Sequence, residues 1–166
     1  SSPASSRLAS AWAFFDSTNV RNSPSVSLDG DRALVGAYGV ADNGTNSGAA
    51  YIFEWNGSAW GQQAKLLASD GEADDYFGYS VSLDGDRALV GAYGDNDNGD
   101  YSGSAYISEW SGSAWVQQAK LLAADGEAGD WFGYSVSLDG DRALIGAYRD
   151  DDNGIHSGSA YIFDLQ

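Results

Sequence analysis

Apolar and polar residues alternate along most of this chain in short stretches, and Gly, Asn, Asp or Ser interrupts them every eight to twelve positions. A repeat of two is the period of a half-buried strand, so the pattern predicts strands and no long helix. The middle of the chain shows it most clearly, with stretches at about 77–83, 87–93, 104–110 and 115–123. "DG" at Asp84, "GDNDNGDYSG" from Gly94 and "SGSA" from Ser111 separate them, and all three are turn-forming compositions.

The same four stretches recur. Val26, Val81 and Val136 are 55 residues apart, as are Tyr38, Tyr93 and Tyr148, and "AYI" begins at Ala50, Ala105 and Ala160. "SVSLDGDRAL" appears unchanged from Ser25, Ser80 and Ser135. A unit of four antiparallel strands at this spacing is the signature of a propeller blade. The fold expected is therefore all-β, a β-propeller with three four-stranded blades in one domain spanning 1–166. Blade 1 covers about 23–68, blade 2 about 76–123, and blade 3 begins near 131.

Composition narrows the partners. Against 24 acidic residues stand 8 basic ones, giving a net charge of -16, which repels nucleic-acid phosphates and anionic lipid. An apolar content of 43% with 13% aromatics is that of a folded chain. Cysteine is absent, which removes disulfides, thiol catalysis and thiolate zinc sites. No apolar run is long enough for a membrane-spanning helix.

"FGYSVSL" followed by "ALVGAY" resembles the FG-GAP repeat, the unit of the integrin alpha propeller and of many bacterial surface and secreted proteins. Phe77-Gly78 and Phe132-Gly133 match its first half, and Gly36-Ala37, Gly91-Ala92 and Gly146-Ala147 its second. Tyr38, Tyr93 and Tyr148 stand where that family often has proline, and Asn22-Ser23 replace Phe-Gly in the first repeat. The resemblance implies a non-catalytic interaction module at the cell surface or secreted. It also implies a place for calcium, an Asp-rich loop between the first and second strands of a blade.

Three blades fall short of the roughly four to eight in known rings. Gln166 falls in the phase of Ser111, ahead of a fourth strand, while the first residues fall in the phase of that strand, with Ala4, Ala9 and Ala13 matching Ala114, Ala119 and Ala123. The expectation is that a strand at about 4–15 of one copy completes blade 3 of another. Two copies would then form a six-bladed homodimeric ring without open edges.

Candidate chemistry lies in the acidic turns. Calcium needs roughly six to eight oxygen ligands, and the Asp-Gly pairs at Asp29, Asp84 and Asp139 leave room only for a two-residue hairpin, expected as type I′. The next loop is the better metal candidate, because it carries carboxylates at alternate positions, Asp95 with Asp97 and Asp150 with Asp152, beside Asn and Gly. Blade 1 has only Asp42 there, with Val40 in the other position. The linkers "DGEADDYFG" from Asp70 and "DGEAGDWFG" from Asp125 are acidic too, yet they recur blade by blade, whereas a catalytic acid and base would break the symmetry. His156, the one histidine, reads as a solvated loop residue. Trp55 with Trp60, and Trp110 with Trp115, flank four-residue turns and should meet across a hairpin. There they either stack on a sugar, as in a lectin-like propeller, or pack on the adjacent blade. The function expected is binding of a protein or glycan partner, with a purely structural ring as the alternative.

Overall fold

A computed structural model describes residues 25–166, which form eleven strands and no helix. In the first sheet β1 (Val26–Asp29), β2 (Arg32–Ala37), β3 (Ala49–Trp55) and β4 (Trp60–Leu66) pair antiparallel in chain order. The second sheet repeats this with β5 (Ser80–Asp84), β6 (Arg87–Ala92), β7 (Ser104–Trp110) and β8 (Trp115–Leu121). The third contains β9 (Phe132–Asp139), β10 (Arg142–Ala147) and β11 (Ser159–Asp164), and among the described residues β11 pairs with β10 alone. The strand expected at 4–15 lies outside the described residues. The architecture is thus all-β, with repeated antiparallel sheets as the 55-residue period requires.

The hairpin turns differ from expectation by one position. Asp29 pairs with Arg32, Asp84 with Arg87 and Asp139 with Arg142, so each turn is Gly-Asp, not Asp-Gly. Gly30, Gly85 and Gly140 have φ between +54° and +57°, while no aspartate that follows them has positive φ. Positive φ at the first central residue alone is the type II′ arrangement, which favours glycine there. The physical reason is register. The expected turn would set Leu83 opposite Asp86 and place a carboxylate on the apolar face, whereas the observed one sets Leu83 opposite Ala88.

Each sheet is apolar on both faces, because each is expected to lie between neighbours. Leu34, Ala50 and Ile52 of blade 1 pack on Phe77, Val81, Leu83 and Val90 of blade 2. One period later, Leu89, Ala105 and Ile107 of blade 2 pack on Phe132, Leu138, Ala143 and Ile145 of blade 3. The two larger parts of the core therefore lie between blades, and a smaller one, Ala37, Val40 and Ala49, lies within blade 1. Burying a Leu or Ile side chain contributes roughly 1.5–3 kcal/mol, so these joints carry much of the stability.

Candidate functional site

The β6–β7 loop brings the metal candidates Asp95 and Asp97 together with Asp70 from the linker, with one oxygen of each carboxylate within 4.8 Å of the others. Their charge is met from within the chain. Lys120 Nζ lies 2.8 Å from Asp70 Oδ2, 2.8 Å from Asp95 Oδ2 and 2.7 Å from Asp97 Oδ2. Tyr106 and Lys120 are cross-strand partners on β7 and β8, so their side chains share a face. The Tyr106 hydroxyl reaches Asp70 Oδ1 at 2.9 Å and Asp95 Oδ2 at 3.1 Å, and the ammonium sits 5.4 Å from the tyrosine ring centre. Burial alone would lower the lysine pKa, but the three carboxylates outweigh it and hold the ammonium charged far above its ordinary range. Asp70 is likewise drawn up by burial, and Lys120 and Tyr106 reverse that to a net lowering.

The three blades carry three versions of this arrangement. Blade 1 has Lys65 paired with Asp42, while Val40 occupies the place of Asp95. Blade 3 keeps the carboxylates and the tyrosine, with Tyr161 Oη 2.9 Å from both Asp125 Oδ1 and Asp150 Oδ2. The lysine of this set belongs to a fourth strand, which the described part of blade 3 does not contain. Asp152 is raised accordingly, chiefly by the charge of Asp150, with Asp125 and Asp130 adding to it.

Sequence reading found Asp95, Asp97, Asp150 and Asp152 but missed Asp70, Tyr106 and Lys120, which come from three other segments. One signal was available: "QQAKLLA" repeats its lysine at Lys65 and Lys120, in phase with the acidic loops.

The acidic linkers have a structural use. Asp75 and Asp130 are buried and accept the amide hydrogens of Glu72 and Glu127 at 2.6 Å and 2.7 Å, closing the same turn in each blade. Burial pushes the Asp75 carboxyl up to about 6 against the pull of the Glu72 amide, and Asp95 raises it further. The folded state then binds this proton more tightly than the unfolded chain does. The contribution of Asp75 to stability is expected to rise as pH falls from about 6 towards 4. Asp75→Asn should flatten that part of a stability-against-pH curve and raise stability near neutral pH, as urea unfolding across the range would show.

The hairpin carboxylates at the integrin-like calcium position are also occupied. Asp29 Oδ2 accepts the amide of Gly85 at 2.6 Å, and Asp84 accepts that of Gly140. Asp86 pairs with Arg32, and Asp141 lies 3.2 Å from Arg87. With two-residue turns and carboxylates that bond to the neighbouring blade, this donor set does not fit a calcium ion.

The tryptophans do meet across their hairpins. Trp55 and Trp60 are cross-strand partners with ring centres 5.8 Å apart, and Trp110 and Trp115 are partners at 6.0 Å. Their surroundings differ. The Arg32 guanidinium of blade 1 lies 5.5 Å from both rings of the second pair, and Trp115 Nε1 donates to Gln63 Oε1 at 2.8 Å. Trp55 borders a hollow of about 410 Å³ with Glu54, Asn56 and Gln62, and Trp110 one of about 330 Å³ with Arg87, Glu109 and Asp141. His156 lies in an exposed loop, 3.6 Å from Asp151.

A band of tyrosines crosses the blades at the ends of β2, β6 and β10. Tyr93 stacks on Tyr76 at 5.0 Å and contacts Trp131 at 5.0 Å, and Tyr134 stacks on Tyr148 at 5.0 Å. Arg149 lies 3.8 Å over Trp131. Tyr38 meets Tyr76 and Tyr79, and Tyr93 meets Trp131 and Tyr134, so the aromatic residues at 38 and 93 join successive blades, a use that their spacing alone did not disclose, while Tyr148 packs on Trp131 and Tyr134 of its own blade.

The FG-GAP repeat model matches residues 22–53, 60–108 and 115–163. This chain belongs to the FG-GAP repeat family. No curated protein matches it. The two halves of the FG-GAP motif meet across the blade joints. A Cβ on Gly36 would lie 1.9 Å from the carbonyl oxygen of Gly78, and one on Gly91 would lie 2.0 Å from that of Gly133. Gly78 and Gly133 have φ of +90° and +88°, and a Cβ there would strike the carbonyl oxygens of Ala49 and Ser104 at 2.2 Å and 2.1 Å. The FG-GAP glycines let the backbones of neighbouring blades touch.

Proposed function

We propose that this FG-GAP protein is a non-catalytic propeller module that binds a macromolecular partner and assembles with a second copy of itself. The observation that carries the reading is the difference between inner and outer blade faces. Leu89 and Ile107 are 0% and 2% exposed, while their counterparts Leu144 and Ile162 on blade 3 are 44% and 72% exposed. At the other end, Val26 and Leu28 are 66% and 70% exposed, against 7% and 6% for Val81 and Leu83. The repeat therefore offers two joint faces for further blades. In this reading a second copy takes them up to give a six-bladed ring, and its segment 4–15 pairs with β11 as the fourth strand of blade 3.

Carboxylates engaged in repeated structural contacts support a binding role over hydrolysis, and the net charge of -16 favours protein or neutral glycan partners over nucleic acid or membrane. Secretion or display at the cell surface is part of the same reading. Lys120 leaves no need for calcium at Asp95 and Asp97, so a cation is best sought at Asp150 and Asp152. Trp55 with Trp60 and Trp110 with Trp115 are the candidates for a sugar ring, each pair with one indole at the edge of a hollow.

Light scattering at micromolar concentration is expected to give twice the mass of one chain, and a single-chain mass would sink the assembly. On a glycan array probed with and without calcium, Trp55→Ala and Trp110→Ala are each expected to lower binding relative to the wild type. A wild type that binds no glycan, or variants that bind as well as the wild type, would remove the glycan reading.

A further inference from the structure

We propose that the exposed faces of blades 1 and 3 are the two halves of one inter-blade joint, and that a second copy of this chain closes it through Arg142, Ser137 and Asp139 on blade 3 and residues Val26 to Asp31 of that copy. The proposal rests on the self-assembling reading and specifies its seam. Its warrant is that the same joint is built twice inside the chain, with the same arginine, hydroxyl and carboxylate contacts.

Three kinds of contact make up the template. Arg32 Nη1 donates to Gly85 O at 3.2 Å and pairs with Asp86, and one period later Arg87 Nη1 donates to Gly140 O at 3.0 Å and lies 3.2 Å from Asp141. Side chains of each inner strand accept edge amides of the next. The Leu83 amide donates to Ser27 Oγ at 3.0 Å and the Leu138 amide to Ser82 Oγ at 2.9 Å, while Gly85 and Gly140 donate to Asp29 and Asp84. Behind these bonds lies the apolar layer of Leu and Ile on Val, Leu and Ala.

Advancing the template by 55 residues places each half on an open face. Arg142 follows Arg32 and Arg87, and its side chain is 76% exposed. Ser137 and Asp139 follow Ser82 and Asp84 and are exposed, where Ser82 and Asp84 are half-buried. Their complements are the amides of Leu28 and Gly30, the carbonyl of Gly30 and the carboxylate of Asp31, all on blade 1. Leu144 and Ile162 would face Val26, Leu28, Ala33 and Val35. Such a joint is heterologous, with different surfaces meeting, and it closes only if the rotation per copy completes a ring.

The seam begins at Val26. Ser23 stands at the repeat position of Gly78 and Gly133 and lies outside the described residues.

The test compares the full chain with Arg142→Asp, Asp31→Arg and the double variant by light scattering over a dilution series. Both positions are exposed, and circular dichroism with urea unfolding reports that each variant is folded. Each single variant is expected to raise the dissociation constant of the assembly on the order of 30-fold, and the double variant to restore it. In a chain without cysteine, Leu28→Cys with Ser137→Cys should form a disulfide between copies on oxidation, with Ser82→Cys and Leu138→Cys as the within-chain control. A wild-type chain that is monomeric throughout overturns the assembly and the seam together. An assembled wild type whose single variants assemble equally well, with no disulfide between copies, overturns the seam alone.

Discussion

Replacing Gly78 by alanine is expected to destabilise the protein by about 4 kcal/mol. The backbone at φ +90° is one an alanine adopts only under strain, at a cost of roughly 1–3 kcal/mol. The new Cβ would also lie 2.2 Å from the Ala49 carbonyl oxygen and 3.0 Å from the Ala37 amide nitrogen. Those are backbone atoms of the neighbouring blade, which cannot swing aside as a side chain can, and overpacking of this kind costs a further 1–3 kcal/mol or so. Gly133→Ala should behave alike, since its Cβ would meet Ser104 O at 2.1 Å. Gly57→Ala is the control for strain alone, with φ +97° and open space around it. Urea unfolding of the three variants separates the terms. A Gly78→Ala loss no larger than that of Gly57→Ala would mean the blades move apart freely, contrary to the joint described above.

That comparison shows how far the sequence could be read. The period of 55, the strands and the cross-hairpin tryptophans follow from spacing within one repeat, where each partner is a few residues from the next. The FG-GAP glycines were visible as a motif, but their partners lie 29 to 42 residues away in another blade, so their purpose was not. The same holds for the charged turn. Asp86 stands next to Arg87 in the sequence, yet it meets Arg32 of the preceding blade, 54 positions distant. A short-range rule also mispositioned the turn, because "DG" is a strong hairpin signal and the pleat of the flanking strands overrode it. Long-range contacts between repeats are regular, however, and a contact seen between blades 1 and 2 was a sound guide to the one between blades 2 and 3.

The carboxylate cage of blade 2 supplies the second large effect. Lys120→Met is expected to cost about 3 kcal/mol, because it removes the one ammonium shared by Asp70, Asp95 and Asp97 and leaves the Asp95 carboxylate buried without a counter-charge. The matching change in blade 1, Lys65→Met, should cost no more than about 1 kcal/mol, since Lys65 and Asp42 are both partly open to solvent. Blade 1 also indicates what relieves the loss. Val40 fills the place of Asp95 there, buried among Ala37 and Ala49, so the site tolerates an apolar side chain of that size. Adding Asp95→Val to Lys120→Met is therefore expected to recover most of the stability, since the buried charge leaves together with its partner. A double-mutant cycle read by urea unfolding decides the point. Additive losses would show that Lys120 and Asp95 act independently, and would reduce the cage to a surface ion pair. Strong coupling would place the cation requirement of these loops within the chain, with blade 3, whose carboxylates lack a lysine among the described residues, as the one blade where added calcium should raise the unfolding midpoint.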